Sequence, residues 1–332
     1  SIIVDRQLDA GGIIIGKTNT AELGVGAHTA NRLFGITPNI YGNSQSSGGS
    51  SGGAGVAVAA NLLPFADGTD MMGSCRTPAA YANVYGFRPT PGLLPDYRTN
   101  EKKKNLPVIS TPGCLARTPD DMSILLDVIV GQHKEDPISF SLDNSFSEAN
   151  LSDQEFSKIK IGWLSDMNEN YQYDPEIIEI CNKQLNNLEK HKVIIENLKP
   201  KIDAHKLWNC WGTLRAKSIY EDIITMNIKD VNEMTPQAIW EYNKGIKLTD
   251  EDVKSALNSR IELSNDVNRL FGDFDFLALP SQQSFPFDKN LRYPEKINEK
   301  LMDTYHRWIE IHIFASLFYL PSISLPIGFN KD

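Results

Sequence analysis

The chain lacks what several large protein classes require. It has only four cysteines, at positions 75, 114, 181 and 210, widely spaced and with no CxxC pair. That pattern argues against a disulfide framework and a zinc ribbon, and suits a reducing compartment such as the cytoplasm. Positive charge is scarce: 33 Lys and Arg stand against 42 Asp and Glu, for a net charge of −9, with no basic stripe. Such a chain is a poor nucleic-acid binder. There is no long unbroken apolar run. The longest, 311–327, contains His312, Pro321 and Pro326, so it reads as a buried helix followed by a strand rather than a membrane span. No secretory signal pattern is visible, and there is neither an internal repeat nor a low-complexity tract. The chain opens on Ser1 rather than Met, inside a helical pattern, which predicts a cut amino terminus.

What is present is an ordinary globular balance, 41% apolar and 23% charged over 332 residues, enough for a large core. In the first 130 residues, helix and strand patterns alternate around Gly-rich joints. They predict a helix over 1–10, a buried strand over 12–16, a helical turn over 20–23 and a loop over 25–49. A tightly packed helix of small residues follows over 52–62, then a strand at 63–66, a helix at 78–84 and a strand from 86 to 88. An amphipathic helix spans 118–131, with Pro119 in its first turn and Gly131 past its end. Residues 131–157 read as irregular. Strands are expected at 158–164, 192–196, 274–279 and 322–325. Helices are expected at 174–190, three times between 203 and 271, and as one long element over 294–317. The fold class is α/β.

One motif misleads. Gly11 to Thr18 satisfies the phosphate-loop pattern GxxxxGK[ST]. A phosphate loop needs a hydrophobic strand before its first Gly and a flexible loop after it. Here polar Asp5, Arg6, Gln7 and Asp9 come first, and three stiff Ile fill the supposed loop. A strand ending at Gly16 is the better reading.

The stretch that carries chemistry is SSGGSSGGAGVAVAANLLPFADGTDMMGSCRTP, residues 46–78. A Ser/Gly loop runs straight into a helix of small residues. A second loop, 68–74, ends in Ser74 and leads into another helix. The small residues between them let the two loops approach closely. Backbone N–H groups in a Gly-containing turn before a helix form an anion cradle, and a cradle beside a Ser hydroxyl is what acyl transfer needs. A flexible linker of the same composition would not alternate with apolar helices.

These residues resemble the amidase signature family, serine hydrolases that cleave carboxamides. The resemblance covers 8–131, through GGIIIGKTNTAELGVG, GGSSGG, GTDMMGSCRTPAA, GFRPTPGLLP and TPGCLARTPDDMSILLD. It resumes over 273–332 with DFDFLALPS, DTYHRW and LPSISLPIGFN. The region from about 140 to 270 matches only in the order of its elements and reads as a variable substrate region within one domain over 1–332. The fold implied is a large mixed β-sheet sandwiched between helices.

The resemblance implies Ser74 as nucleophile and Ser50, after a cis peptide bond to Gly49, as the middle member of a Ser–Ser–Lys triad. A relay of that kind puts the Ser50 hydroxyl within hydrogen-bond reach of Ser74. The backbone N–H groups of Met71, Met72, Gly73 and Ser74 would form the oxyanion hole. Ser51 and Thr69 would support the loops by hydrogen bonds, and Arg76 would orient the loop or a polar substrate group. The base would be a Lys kept neutral by burial and a neighbouring positive charge. The family places that Lys several dozen residues before the GKTN stretch, so it is expected upstream of residue 1, and Lys17 is not its equivalent. The family also continues beyond the last residues here, so both ends read as missing. Met71, Met72 and Cys75 depart from the aliphatic or small residues usual at those positions.

Other residues read as structural. Cys75, beside Ser74, is a small apolar side chain turned into the core rather than a rival nucleophile. His306 and Glu310, four apart, would share a helix face, whereas His312 would not, which leaves too few ligands for a metal. Trp208, Trp211 and Trp240 read as core or as walls of an acyl pocket. The acidic run 250–252 opens a helix. The function implied is amide hydrolysis to a carboxylate and ammonia or amine through a serine acyl-enzyme, with no cofactor and no metal. The expected partners are a small-molecule amide and a second copy of the chain in a homodimer, with no nucleic acid and no membrane. Two alternatives stand beside it. One is the glutaminase-type component of a tRNA-dependent amidotransferase, whose members usually carry Gln where Thr77 stands. The other is a non-catalytic amidase-like binding protein.

Overall fold

The computed structural model describes residues 1–97, 103 and 105–331; Asp332, which closes the second resembling stretch, lies outside them. Helix α1 (Ile2–Asp9) buries Ile2 and Ile3. Its Arg6 ties it to the body of the protein by donating to the carbonyls of Ile129, Gly131 and Gln132. The next segment departs from expectation. Residues 12–16 form no strand, and Ile13 and Ile15 are 86% and 71% exposed. Three β-branched residues favour an extended backbone, but a strand needs a ladder partner, and no described strand pairs with them.

A 3-10 turn (Glu22–Gly24) overlaps the helical turn expected over 20–23, and a minimal hairpin, β1 (Ala30–Asn31) with β2 (Gly35–Ile36), interrupts the expected loop. Helix α2 (Gly52–Ala59) has almost no side-chain bulk, so β3 (Phe65–Asp70) and α3 (Arg76–Ala82) both pack closely on it. Next come β4 (Tyr85–Arg88) and β5 (Thr111–Ala116). Helix α4 (Pro119–Ile129) starts as expected, with Thr118 accepting from the Asp121 N–H and Pro at its first position.

The second half opens with α5 (Asp153–Phe156), capped by the reciprocal pair Ser152 and Glu155. Then follow β6 (Lys160–Trp163), α6 (Ile177–Glu189) and β7 (Ile194–Asn197). The three expected helices are α7 (Ala204–Thr225), α8 (Pro236–Gly245) and α9 (Asp250–Phe271), with α7 packed against both of the others. Strand β8 (Phe276–Ala278) closes this part.

The long helix expected over 294–317 is not formed. In its place are a hairpin of β9 (Lys296–Ile297) and β10 (Lys300–Leu301), a 3-10 segment (Arg307–His312) and the short helix α10 (Ile313–Leu317). Two residues account for the first part. Asn298 and Glu299 both take positive φ, 41° and 68°, which makes the tight turn that joins two antiparallel strands. The 3-10 segment is itself broken at Ile309, with φ −124°. Four-residue spacing therefore no longer puts His306 and Glu310 on one helical face. Strand β11 (Ser322–Ser324) ends the sequence of elements.

The α/β class holds. Its strands fall mainly into two sheets, one antiparallel in the order β11-β4-β5-β3 and one parallel in the order β7-β6-β8. The register of β3 on β5 sets Asp70 opposite Thr111, so the strand delivers Asp70 to the sheet edge just before the 71–74 loop. The largest buried cluster joins α7 and α9 to the 3-10 segment and α10 through Trp211, Leu214, Leu263, Trp308 and Phe314. Among the described residues, no helix is long and apolar enough to cross a membrane.

Candidate active site

The Gly/Ser loop before α2 is held by backbone bonds and by one threonine. Thr29 Oγ1 donates to the Gly48 carbonyl at 2.8 Å and accepts from the Gly52 N–H at 2.9 Å. The Ser50 carbonyl accepts from the Ala21 N–H at 3.1 Å. The Gly49–Ser50 peptide is cis. A Cβ on Gly49 would stand 2.7 Å from the backbone nitrogen of His28, so glycine is required where the two chain segments touch. The Ser51 N–H donates to the Ser74 carbonyl at 3.1 Å. That single bond joins the two loops the sequence singled out.

The second loop is shaped by Asp70, fully buried at the end of β3. Its carboxylate accepts from the backbone N–H groups of Gly73 at 2.8 Å and Cys75 at 3.2 Å. It also accepts from Arg76 Nε at 3.0 Å and Nη2 at 2.8 Å, and Arg88 Nε lies 3.8 Å away. Burial would raise the Asp70 pKa. The charge and hydrogen bonds of Arg76, with the charge of Arg88, outweigh it and hold the carboxyl well below the usual carboxylate range. Arg76 thus bonds to the same carboxylate that holds the loop's backbone.

This arrangement corrects one assignment. The Gly73 N–H is engaged by Asp70 and is not free to receive an oxyanion. The N–H groups of Met71, Met72 and Ser74 make no hydrogen bond with a described residue. Gly73 itself has φ +88°, and a Cβ there would stand 2.6 Å from His312 Nε2.

Ser74 and Ser50 are 8% and 3% exposed. Neither hydroxyl makes a hydrogen bond with a described residue, so the direct contact expected of a relay is not formed. Ser51 and Thr69 support the loops through their backbones: the Ser51 N–H as above, and the Thr69 carbonyl by accepting from Cys75 Sγ at 3.4 Å. Their hydroxyls make no bond with described residues. Cys75 is fully buried, and burial together with the Asp70 charge pushes its thiol far above the ordinary value, so it carries no thiolate.

Ser74 lines a small cavity of about 20 Å³, walled on its own side by Gly24, Gly26, Met71 and Met72 and on the other by Arg215, Tyr305, His306 and Ile309. Gly26 also borders a larger cleft of about 280 Å³ that reaches Thr235, Gln237 and Arg292. Of the far wall, His306 is expected on a face near the pocket, whereas the parts of Arg215 and Tyr305 were not legible in the sequence. Arg215, on α7, donates to Glu241 at 2.7 Å and to the Tyr305 hydroxyl at 2.8 Å, and its Nη1 lies 3.2 Å from Met71 Sδ. The Tyr305 hydroxyl in turn donates to Glu241.

The His/Glu set on the 306–312 stretch diverges. His306 sits among Trp208, Trp240 and Tyr305. Glu310 pairs with Arg307 at 3.2 Å, and burial pushes its carboxyl up to about 7 against the pull of that arginine. His312 meets Thr77 Oγ1 at 3.2 Å and Gln282 Nε2 at 2.9 Å. Trp211 is core, while Trp208 and Trp240 hold His306.

The chain resembles known proteins over its whole length. The sequence profile of the Amidase family matches residues 1–332. An acylamidase from Rhodococcus erythropolis is 29% identical over 340 residues, which cover 100% of this chain and 69% of the relative. The A component of the glutamyl-tRNA(Gln) amidotransferase from Saccharolobus solfataricus is 26% identical, covering 99% and 71%. Among solved structures, a bacterial aryl acylamidase of the amidase signature family superposes with TM-score 0.90 at 23% identity, over 100% of this chain and 69% of that one. A 6-aminohexanoate cyclic dimer hydrolase gives 0.85 at 22%, over 100% and 72%.

Proposed function

We propose that this chain, a member of the amidase family, hydrolyses carboxamides with Ser74 as nucleophile and Ser50 as proton relay. One observation carries the reading. Ser74 lines a cavity at the end of a loop whose N–H groups at 71, 72 and 74 bond to none of the described residues, while Asp70 clamps the loop from behind.

In this reading Ser74 Oγ attacks the amide carbon, and its proton passes to Ser50 and on to the base, a role the family gives to a lysine. The carbonyl oxygen becomes an oxyanion held by the N–H groups of Met71, Met72 and Ser74. The C–N bond breaks as the nitrogen takes back a proton through Ser50, releasing ammonia or an amine. Water then hydrolyses the acyl-enzyme by the same relay and leaves a carboxylate. These steps balance as proton and acyl transfers without a cofactor. The two hydroxyls must come into contact for the relay to work, and catalytic bonds often tighten only when substrate is bound.

The acylamidase relative supports a small-molecule acyl amide as substrate. The reading includes a single domain over 1–332, a cytoplasmic setting and a homodimer. The amidotransferase relatives favour a second reading, ammonia release from glutamine for a partner. Thr77 weighs against it: where those proteins usually carry Gln, Thr77 is buried and bonded to His312 and Gln282.

The test is Ser74→Ala in the full-length protein, assayed on simple amides and anilides, with circular dichroism to confirm folding. Activity should fall at least several hundredfold, as when one member of a catalytic triad is removed, while Cys75→Ala keeps it. The opposite pattern would move the nucleophile to Cys75.

A further inference from the structure

The far wall of the Ser74 cavity holds a histidine that the reaction as described does not use. His306 is 2% exposed, and among the described residues neither Nδ1 nor Nε2 has a hydrogen-bond partner. Its ring is held by Trp208, Trp240 and Tyr305, with centroids at 5.0, 5.4 and 4.6 Å. Buried polar atoms are nearly always paired, so an imidazole with both nitrogens bare beside a nucleophile calls for a partner that arrives with substrate. Burial and the nearby charges of Arg215, Lys244 and Arg307 keep the ring neutral. A neutral imidazole offers one N–H and one lone pair.

The chemistry of the substrate says which of these is used. A scissile amide has two polar ends. Its carbonyl oxygen is served by the free backbone donors of the 71–74 loop. Its N–H needs an acceptor. Of the other polar side chains on the cavity wall, the Tyr305 hydroxyl is taken by Arg215 and Glu241, and Arg215 has no lone pair to offer. The Met71 sulfur already faces Arg215 Nη1. At about 20 Å³ the cavity admits one small group, so whatever reacts at Ser74 shares its space with His306.

We propose that His306 accepts a hydrogen bond from the N–H of the scissile amide and thereby selects amides over esters of the same acyl group. This rests on the assignment of Ser74 as nucleophile. His306 is a specificity-determining residue in this scheme, and Trp208, Trp240 and Tyr305 are its positioning residues.

The experiment compares acetanilide with phenyl acetate in the intact protein. His306→Phe keeps a flat ring among the aromatic neighbours and removes both nitrogens. It should lower kcat/KM for the anilide about tenfold or more, the loss expected for one buried hydrogen bond. The ester, which has no N–H, should change less than about twofold. His306→Gln, whose side-chain oxygen can accept, should recover part of the loss. Equal losses on both substrates would make His306 merely structural and overturn the proposal, as would no loss on either. Ser74→Ala abolishes both hydrolyses if the underlying reading is right; if it spares both, that reading fails independently of His306. Should the Phe variant not fold, the wild-type protein decides the matter. Acetanilide should be preferred about tenfold or more over N-methylacetanilide, which lacks the N–H, and near-equal hydrolysis would refute the idea.

Discussion

Asp70→Asn is the sharpest perturbation of the architecture beneath the site. The substitution keeps the side chain's shape, removes its charge, and turns one acceptor oxygen into a donor that faces either the Gly73 N–H or the N–H groups of Cys75 and Arg76. It also leaves Arg76 and Arg88, both almost fully buried, without a counter-charge. Removing one partner of a buried ion pair costs about 3–5 kcal/mol, because the orphaned charge stays behind. Urea denaturation at pH 7 should therefore show a loss in that range. The pH dependence gives a second handle. The folded-state pKa of Asp70 is depressed, so its contribution is fully present above the unfolded value of about 3.9 and is lost as pH falls through the folded value. The gap between wild type and variant should be flat from pH 8 to about 5 and close only below about pH 4. Activity should fall about a hundredfold, since the clamp places the oxyanion donors and a displacement of roughly 1 Å costs that much. A variant that loses less than about 1 kcal/mol and keeps full activity would refute the clamp.

Two further outcomes follow from the same loop and its neighbours. Gly73→Ala adds a Cβ against the His312 ring at a backbone φ of +88°, so it should destabilise by about 1–3 kcal/mol in thermal or urea melts and lower kcat with it. Glu310 has a folded-state pKa raised to about 7, so the native protein holds a proton there that the unfolded chain has released. Wild-type stability should therefore decline as pH rises from about 4.3 to 7 and level off above, and Glu310→Gln should lack that slope in urea melts taken at pH 5, 6, 7 and 8.

The helices α2, α3, α4 and α7 to α9 were legible because their signals are local: small-residue composition, caps, and apolar spacing. The strand β5 was not, since Thr111-Pro112-Gly113 is poor strand material on its own and becomes a strand by lying between β3 and β4. The reverse error came at Ile13 to Ile15, where strong local preference meets no partner. At the site, the serines and the loop were legible from the pattern of residues. Asp70 was not, because an Asp in a Gly-Thr-Asp turn gives no hint that Arg88, from strand β4 on the far side of β5, will meet it. In the sequence His306 reads as part of a helix face near the pocket or as plain packing, and that face disappears once Ile309 breaks the segment.

The cavity is built from two walls with separate origins along the chain. Residues 24–74 form the wall that performs the chemistry, where Gly49, Gly73 and the buried Asp70 leave almost no room for substitution. Residues 215 and 305–309 form the other, on α7 and the segments around Ile309. An evolving lineage can therefore rewrite its substrate range on the second wall while the reaction stays intact on the first. Directed evolution for a new amide would do well to randomise around positions 208, 215, 240 and 305–309 and leave the loops of Ser50 and Ser74 untouched.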